Sequence, residues 1–264
     1  MIARRLLAGA ALFSVVGILI GCSAGQSAGP VSPSTSTSTS TEMRPPTSKP
    51  SSAPTAEADP LISFERPVEG TTVSVPFLVA GSANTFEAAL TVEASVAGGG
   101  ILCALDLLAT SGSGTPGTWQ GTIAFPPPES AGSVTLRAYA HSAKDGSPTD
   151  LVAQTITVSA ERPAIFLTTP VCGDIVDAGQ LLAVTGRAEV FEAALTIELR
   201  DASGTALLAQ QVVADECCVE SNFAVLLSVP AGLAAGSYDV VAFTTSAVDG
   251  SIQNEFPVQI QVRS

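Results

Sequence analysis

An all-β body written twice is what this sequence predicts, and three observations carry the prediction. Phe86–Glu93 reads FEAALTVE and Phe191–Glu198 reads FEAALTIE, 105 positions apart. From Leu61 onward, short apolar runs are punctuated by Gly, Pro, Asp and Ser at the spacing of strands joined by tight turns. Hydrophobic residues make up 46% of the chain and charged residues only 13%. Val, Thr, Ala, Ser and Gly fill much of the rest, a mixture that suits pleated, half-buried surfaces better than helices. A length of 264 residues accommodates one or two domains.

The chain begins with Arg4 and Arg5 ahead of an apolar run from Leu6 to Ile20. A charged start, a short apolar stretch and a small residue before a cut describe an export signal. The run falls short of the roughly 20 residues that span a bilayer. Leu19-Ile20-Gly21-Cys22 looks like the bacterial lipobox, so residues 1–21 are expected to be a lipoprotein signal peptide and Cys22 the lipidation site. An ordinary signal or an uncleaved anchor is the plainer alternative. The body is then expected on the extracytoplasmic side of the cell membrane, held by acyl chains that each contribute roughly 0.8 kcal/mol per buried CH₂.

Residues 22–60 are Ser/Thr/Pro-rich and nearly free of apolar side chains, so nothing in them offsets the entropy of ordering. They are expected to form a disordered tether, averaging roughly 30–35 Å end to end as a coil.

Strands are expected in the first copy near Leu61–Glu65, Phe77–Ser82, Ala89–Ala97, Ile101–Ala109, Thr118–Phe125, Thr135–Ser142 and Leu151–Val158. The second copy repeats them near Ile165–Thr169, Leu181–Arg187, Ala194–Asp201, Ala206–Val213, Asn222–Val229, Tyr238–Thr245 and Phe256–Val262. Seven strands in about 100 residues is the count of an immunoglobulin-like sandwich. The expected organisation is one Ig-like domain over 61–159, a short linker over 160–164 and a second Ig-like domain over 165–264. A linker this short predicts sandwiches stacked end to end. Asp145-Gly146 and Asp249-Gly250 each stand between two strands, and Asp-Gly is a strong hairpin signal. FEAAL alone favours helix. Its continuation into Thr-Val-Glu or Thr-Ile-Glu alternates like a strand, which predicts a strand entered by a single turn, with Phe86 and Phe191 in the core.

Several of these residues together resemble a known family. They are Pro67, Gly70, Gly81, Ala83, Phe86-Glu87-Ala88 and Asp145-Gly146-Ser147. Their partners in the second copy are Pro170, Gly173, Gly186, Ala188, Phe191-Glu192-Ala193 and Asp249-Gly250-Ser251. The pattern is similar to the Ig-like domain associated with bacterial spore germination proteins, which often accompanies a GerMN domain on envelope lipoproteins. No GerMN-like segment stands beside it here. The resemblance implies a fold and a cell-surface setting, without a germination role and without catalytic residues to transfer.

The net charge of −13 would be repelled by phosphates, and no basic stripe offsets it, so nucleic acid is not an expected partner. His141 is the only histidine, and any Ser/His/Asp or Cys/His chemistry would need it. Its counterpart in the second copy is Thr245. No HExxH, CxxC pair or phosphate loop is present, so no catalytic residue, cofactor or metal site is assigned and the protein is read as a non-enzyme.

Glu87 and Glu192 are candidate structural or ligand carboxylates. Each could accept N–H bonds from a neighbouring loop. Each could also face a Ca²⁺ site with Asp145, Asp150, Asp249 or Glu161, although no Asp-x-Asp-x-Asp loop accompanies them. Among the cysteines, Cys103 lies in an apolar strand and is expected as a buried thiol. Cys172 with Cys217 or Cys218 is the expected disulfide; a vicinal Cys217–Cys218 bond is the alternative.

The function expected is non-covalent binding or scaffolding in the envelope, through two Ig-like modules on a lipid anchor. The partner would be an envelope protein or a cell-wall polymer. The alternative is a spacer or accessory subunit of an envelope enzyme or transporter, with a hydrolase a more remote third reading.

Overall fold

The computed structural model describes residues 61–264; the leader, Cys22 and the tether lie outside the described residues. The first module contains β1 (Ile62–Arg66), β2 (Thr72–Val73), β3 (Phe77–Ala83), β4 (Ala89–Val96), β5 (Ile101–Leu108), β6 (Gly117–Ile123), β7 (Gly132–His141) and β8 (Pro148–Val158). The second contains β9 (Ile165–Thr169), β10 (Ile175–Asp177), β11 (Leu181–Ala188), β12 (Ala194–Arg200), β13 (Ala206–Val213), β14 (Ser221–Ser228), β15 (Gly236–Thr245) and β16 (Ile252–Arg263). All fourteen expected strands are present. The two not foreseen, β2 and β10, are only two and three residues long. Each pairs in parallel with the last strand of its module, β8 or β16.

Each module is a sandwich of a three-stranded and a five-stranded sheet. In the first, β1-β3-β6 faces β2-β8-β7-β4-β5; in the second, β14-β11-β9 faces β10-β16-β15-β12-β13. Alternation sends Val79, Leu90, Val92, Leu105, Leu136 and Ile156 into the first core, and Val184, Ile197, Leu199, Leu227, Phe256 and Ile260 into the second. Trp119 is buried, meets Phe64 edge-on at 5.4 Å, and donates its indole N–H to the Ser82 carbonyl at 3.0 Å.

Gly81 and Gly186 are obligatory because neighbouring strands come too close for a side chain. A Cβ on Gly81 would lie 1.9 Å from the Ser63 carbonyl oxygen, and one on Gly186 2.3 Å from that of Phe166.

The FEA segment enters its strand through a three-residue turn, Phe86–Ala88 and Phe191–Ala193. The expectation of a core phenylalanine is overturned: Phe86 is 68% exposed and Phe191 78%. The reason is the backbone. Glu87 and Ala88 both adopt positive φ (54° and 60°), as do Glu192 and Ala193 (58° and 55°). That left-handed pair breaks the alternation ahead of Leu90, so the ring is turned outward while Leu90 and Leu195 stay buried. The turn is clamped by the loop before the next sheet. In the first module Ser113 N–H bonds to Thr85 O at 2.8 Å, and Ser113 Oγ accepts from Glu87 N–H at 3.0 Å. In the second, Cys218 N–H takes the Ser113 place, bonding to Val190 O at 3.3 Å.

The modules do not stack end to end. They meet side-on, along β5, the edge strand of the first module's larger sheet. The turn after β9 and the strand β16 lie against it: Asp106 N–H donates to Gln259 Oε1 at 2.8 Å, and Cys103 is bonded to Cys172. The edge strand carries unpaired backbone groups that must find partners, and the second module supplies them.

Candidate functional site

Cysteine pairing follows from this contact and corrects the expected pattern. Cys172 is not joined to Cys217 or Cys218. It is joined to Cys103, which is buried but not a free thiol, and Cys217 is joined to Cys218. Strand register gives the reason. Cys172 lies just beyond Thr169, which pairs with Thr185, whereas the Cys217–Cys218 loop precedes Ser221, which pairs with Ala188 at the other end of β11. Those ends are roughly 10 Å or more apart at about 3.3 Å per residue, too far for a bridge. Cys103 and Cys172 have Cα atoms 4.6 Å apart.

Where β5 runs against the second module it floors a cleft with two lobes, of about 580 and 650 Å³, which share Asp106, Leu107, Leu108 and Ser237. These volumes lie in the range of ligand sites. At one lobe, three side chains form a hydrogen-bonded chain. The Thr91 hydroxyl lies 2.9 Å from Asp106 Oδ1 and 3.1 Å from His141 Nε2, and His141 Nδ1 lies 3.0 Å from the Gly146 carbonyl. A carbonyl only accepts, so Nδ1 carries a proton. Thr91 donates its single hydroxyl proton to Asp106 Oδ1, and its oxygen faces His141 Nε2. The chain belongs to the first module alone: register places Thr196 and Gln211 where Thr91 and Asp106 stand, and Thr245 replaces His141.

The other lobe holds Asp239, half-buried on β15 beside Arg200. Burial pushes its carboxyl above the ordinary range; the Arg200 guanidinium pulls the other way, and Glu255 adds to the rise. Arg200 is engaged elsewhere, with Glu198 at 2.7 Å and with Glu255.

Glu87 lines the cleft with its carboxylate exposed, and it is its backbone N–H that bonds to the neighbouring loop. Glu192 is exposed at the equivalent turn of the second module. Asp145 Oδ1 accepts from both N–H and O–H of Ser147, and Asp249 does the same with Ser251, which closes the two Asp-Gly hairpins. Glu161 accepts from Ser74 Oγ at 2.6 Å. Among the described residues no three His, Cys, Asp or Glu side chains gather as a metal site would require. Sequence reasoning did not single out Thr91, Asp106, Asp239 or Gln259. Asp106 had one visible signal, a lone carboxylate inside the apolar run ILCALDLL.

Two antiparallel-sheet sandwiches in tandem, with Greek-key-like strand orders and a short parallel strand at one edge, define the chain as a pair of immunoglobulin-like modules. The chain belongs to the family described as the immunoglobulin-like domain of bacterial spore germination, matched over residues 61–147 and again over 164–251. Solved structures similar to it include fibronectin(III)-like modules of Clostridium thermocellum CbhA, at 15% identity over 76% of this chain and 94% of that one, with a TM-score of 0.24. An ICAM-5 D1–D4 ectodomain fragment is similar at 12% identity over 77% of this chain and 53% of that one, with a TM-score of 0.27. A chimeric titin Z1Z2 tandem is similar at 17% identity over 77% of this chain and all (100%) of that one, with a TM-score of 0.23. No curated protein matches this chain.

Proposed function

We propose that this is a lipid-anchored envelope protein that binds a partner non-covalently in the cleft between its two Ig-like modules. The observation that carries the reading is the asymmetry of the duplication. The Asp106–Thr91–His141 chain occurs only in the module whose edge strand faces the other, so the cleft has side chains that the fold itself does not need. An acylated Cys22 and a tether over residues 22–60 would present the modules outside the membrane, to an envelope protein or a cell-wall polymer. A spacer reading is favoured by one feature, the covalent Cys103–Cys172 link, which joins two modules into one stiff unit.

The test is retention of an envelope component by the tether-deleted modules. Wild-type modules should retain it and Asp106→Asn modules should lose it. A spacer would retain nothing in either form, yet its deletion from cells would be rescued by the Asp106→Asn protein. For the anchor, replacing Cys22 by Ser should abolish labelling by fatty acid; persistent labelling would overturn that part.

A further inference from the structure

The cleft has a charge and polarity pattern that selects among partner chemistries. Among the described residues its lining contains no lysine or arginine, while Glu87, Asp106 and Asp239 face into it. An anionic ligand would be desolvated against carboxylates with no cation to receive it. An ammonium or guanidinium would want carboxylates converging on one point, and these do not converge: Leu107 and Leu108 lie between the lobes, and among the described residues no three acidic or imidazole side chains gather. The polar groups are instead spread singly along an apolar floor. Asp106, Gln120, Gln259 and Ser237 are capable of single hydrogen bonds to hydroxyl or amide groups, spaced by leucine surface.

Phe86 stands at one lobe with its ring 68% exposed, held outward by the left-handed Glu87–Ala88 turn. An aromatic face beside isolated acceptors suits a molecule with apolar C–H faces and hydroxyl edges. The two lobes adjoin at Asp106–Leu108, an elongated arrangement that suits a linear molecule more than a compact one.

We propose that the cleft binds a neutral glycan chain, lying along β5 with one sugar against Phe86 and its hydroxyl groups on Asp106, Gln259 and Asp239. This rests on the binding role proposed above. The internal repeat supplies a control, because Phe191 is the same residue in the same turn but borders neither lobe.

The full chain in detergent should be titrated calorimetrically with N-acetylchitotetraose, with its de-acetylated cationic counterpart and with tetralysine. The neutral oligosaccharide should bind. Phe86→Ala and Asp106→Asn should each weaken it roughly tenfold, the loss of one stacking or charge-assisted contact, and Phe191→Ala by less than about twofold. Equal loss on Phe86→Ala and Phe191→Ala would place binding at the turns and overturn the cleft assignment. Binding of tetralysine without the neutral sugar would overturn the ligand class, as would no binding of any probe. If the neutral sugar fails but an envelope component is still retained in an Asp106-dependent way, the binding role stands and the glycan assignment alone falls. If neither binds, both fall.

Discussion

Gln259 of the second module accepts a hydrogen bond, at 2.8 Å, from the backbone N–H of Asp106 in the first. One amide thereby does for β5 what a neighbouring strand would do, and it fixes where the cleft floor ends. Replacing Gln259 by Ala removes that acceptor at a cost of about 1 kcal/mol. Hydrogen exchange at the Asp106 amide should quicken in the variant while exchange at the Leu105 amide stays slow, because Leu105 pairs inward with Val92. Unchanged protection at Asp106 would mean that something else covers the edge.

Gly81 and Gly186 sit where strands approach too closely for a methyl group. Gly81→Ala and Gly186→Ala should each destabilise by roughly 1–3 kcal/mol or more, since the obstruction is backbone carbonyl oxygen rather than a movable side chain tip. Gly146→Ala would face no obstruction, and would meet only the strain of its positive φ of 72°. Denaturant melts of the three variants give the ranking directly.

The outward Phe86 and Phe191 set up a comparison with Phe256, which is fully buried. Phe256→Ala should cost about 3–5 kcal/mol through lost burial and the cavity left behind. Phe86→Ala and Phe191→Ala should change stability by within about 0.5 kcal/mol. A large loss at either turn would show that these rings are packed and not presented.

Asp239 makes stability depend on pH in a stated direction. Its folded carboxyl titrates above its unfolded value because burial disfavours the charge. Its contribution is therefore fully present below the unfolded value, about 3.9, and is lost as pH rises through the folded value. Asp239→Asn should raise the melting midpoint at pH 7, with the gain disappearing near pH 3. An equal gain at both pH values would rule out ionisation as the cause.

Much of the fold was legible because it depends on local pattern. The alternation that buries Leu90 and Val92 and the Asp-Gly hairpins are readable along the chain, where Gly81 and Gly186 show only as a repeated pair. What was not legible depends on conformations or contacts that no pattern marks. Two consecutive left-handed residues without glycine at Glu87–Ala88 turn Phe86 from an apparent core residue into an exposed one. The Asp106–Thr91–His141 chain draws on three different strands or strand ends, and only register brings them together. The short linker over 160–164 suggested end-to-end stacking because linker length says nothing about an unpaired edge strand seeking partners. Cysteine number likewise left the pairing open, and it was the side-on contact that decided it.

The Cys103–Cys172 link lies at the side-on contact that forms the cleft. Proteolysis of the non-reduced protein followed by mass spectrometry tests it directly. The account predicts a peptide containing Cys103 joined to one containing Cys172, both released on reduction. A peptide joining Cys172 to Cys217 or Cys218, with Cys103 alkylated as a free thiol, would contradict it.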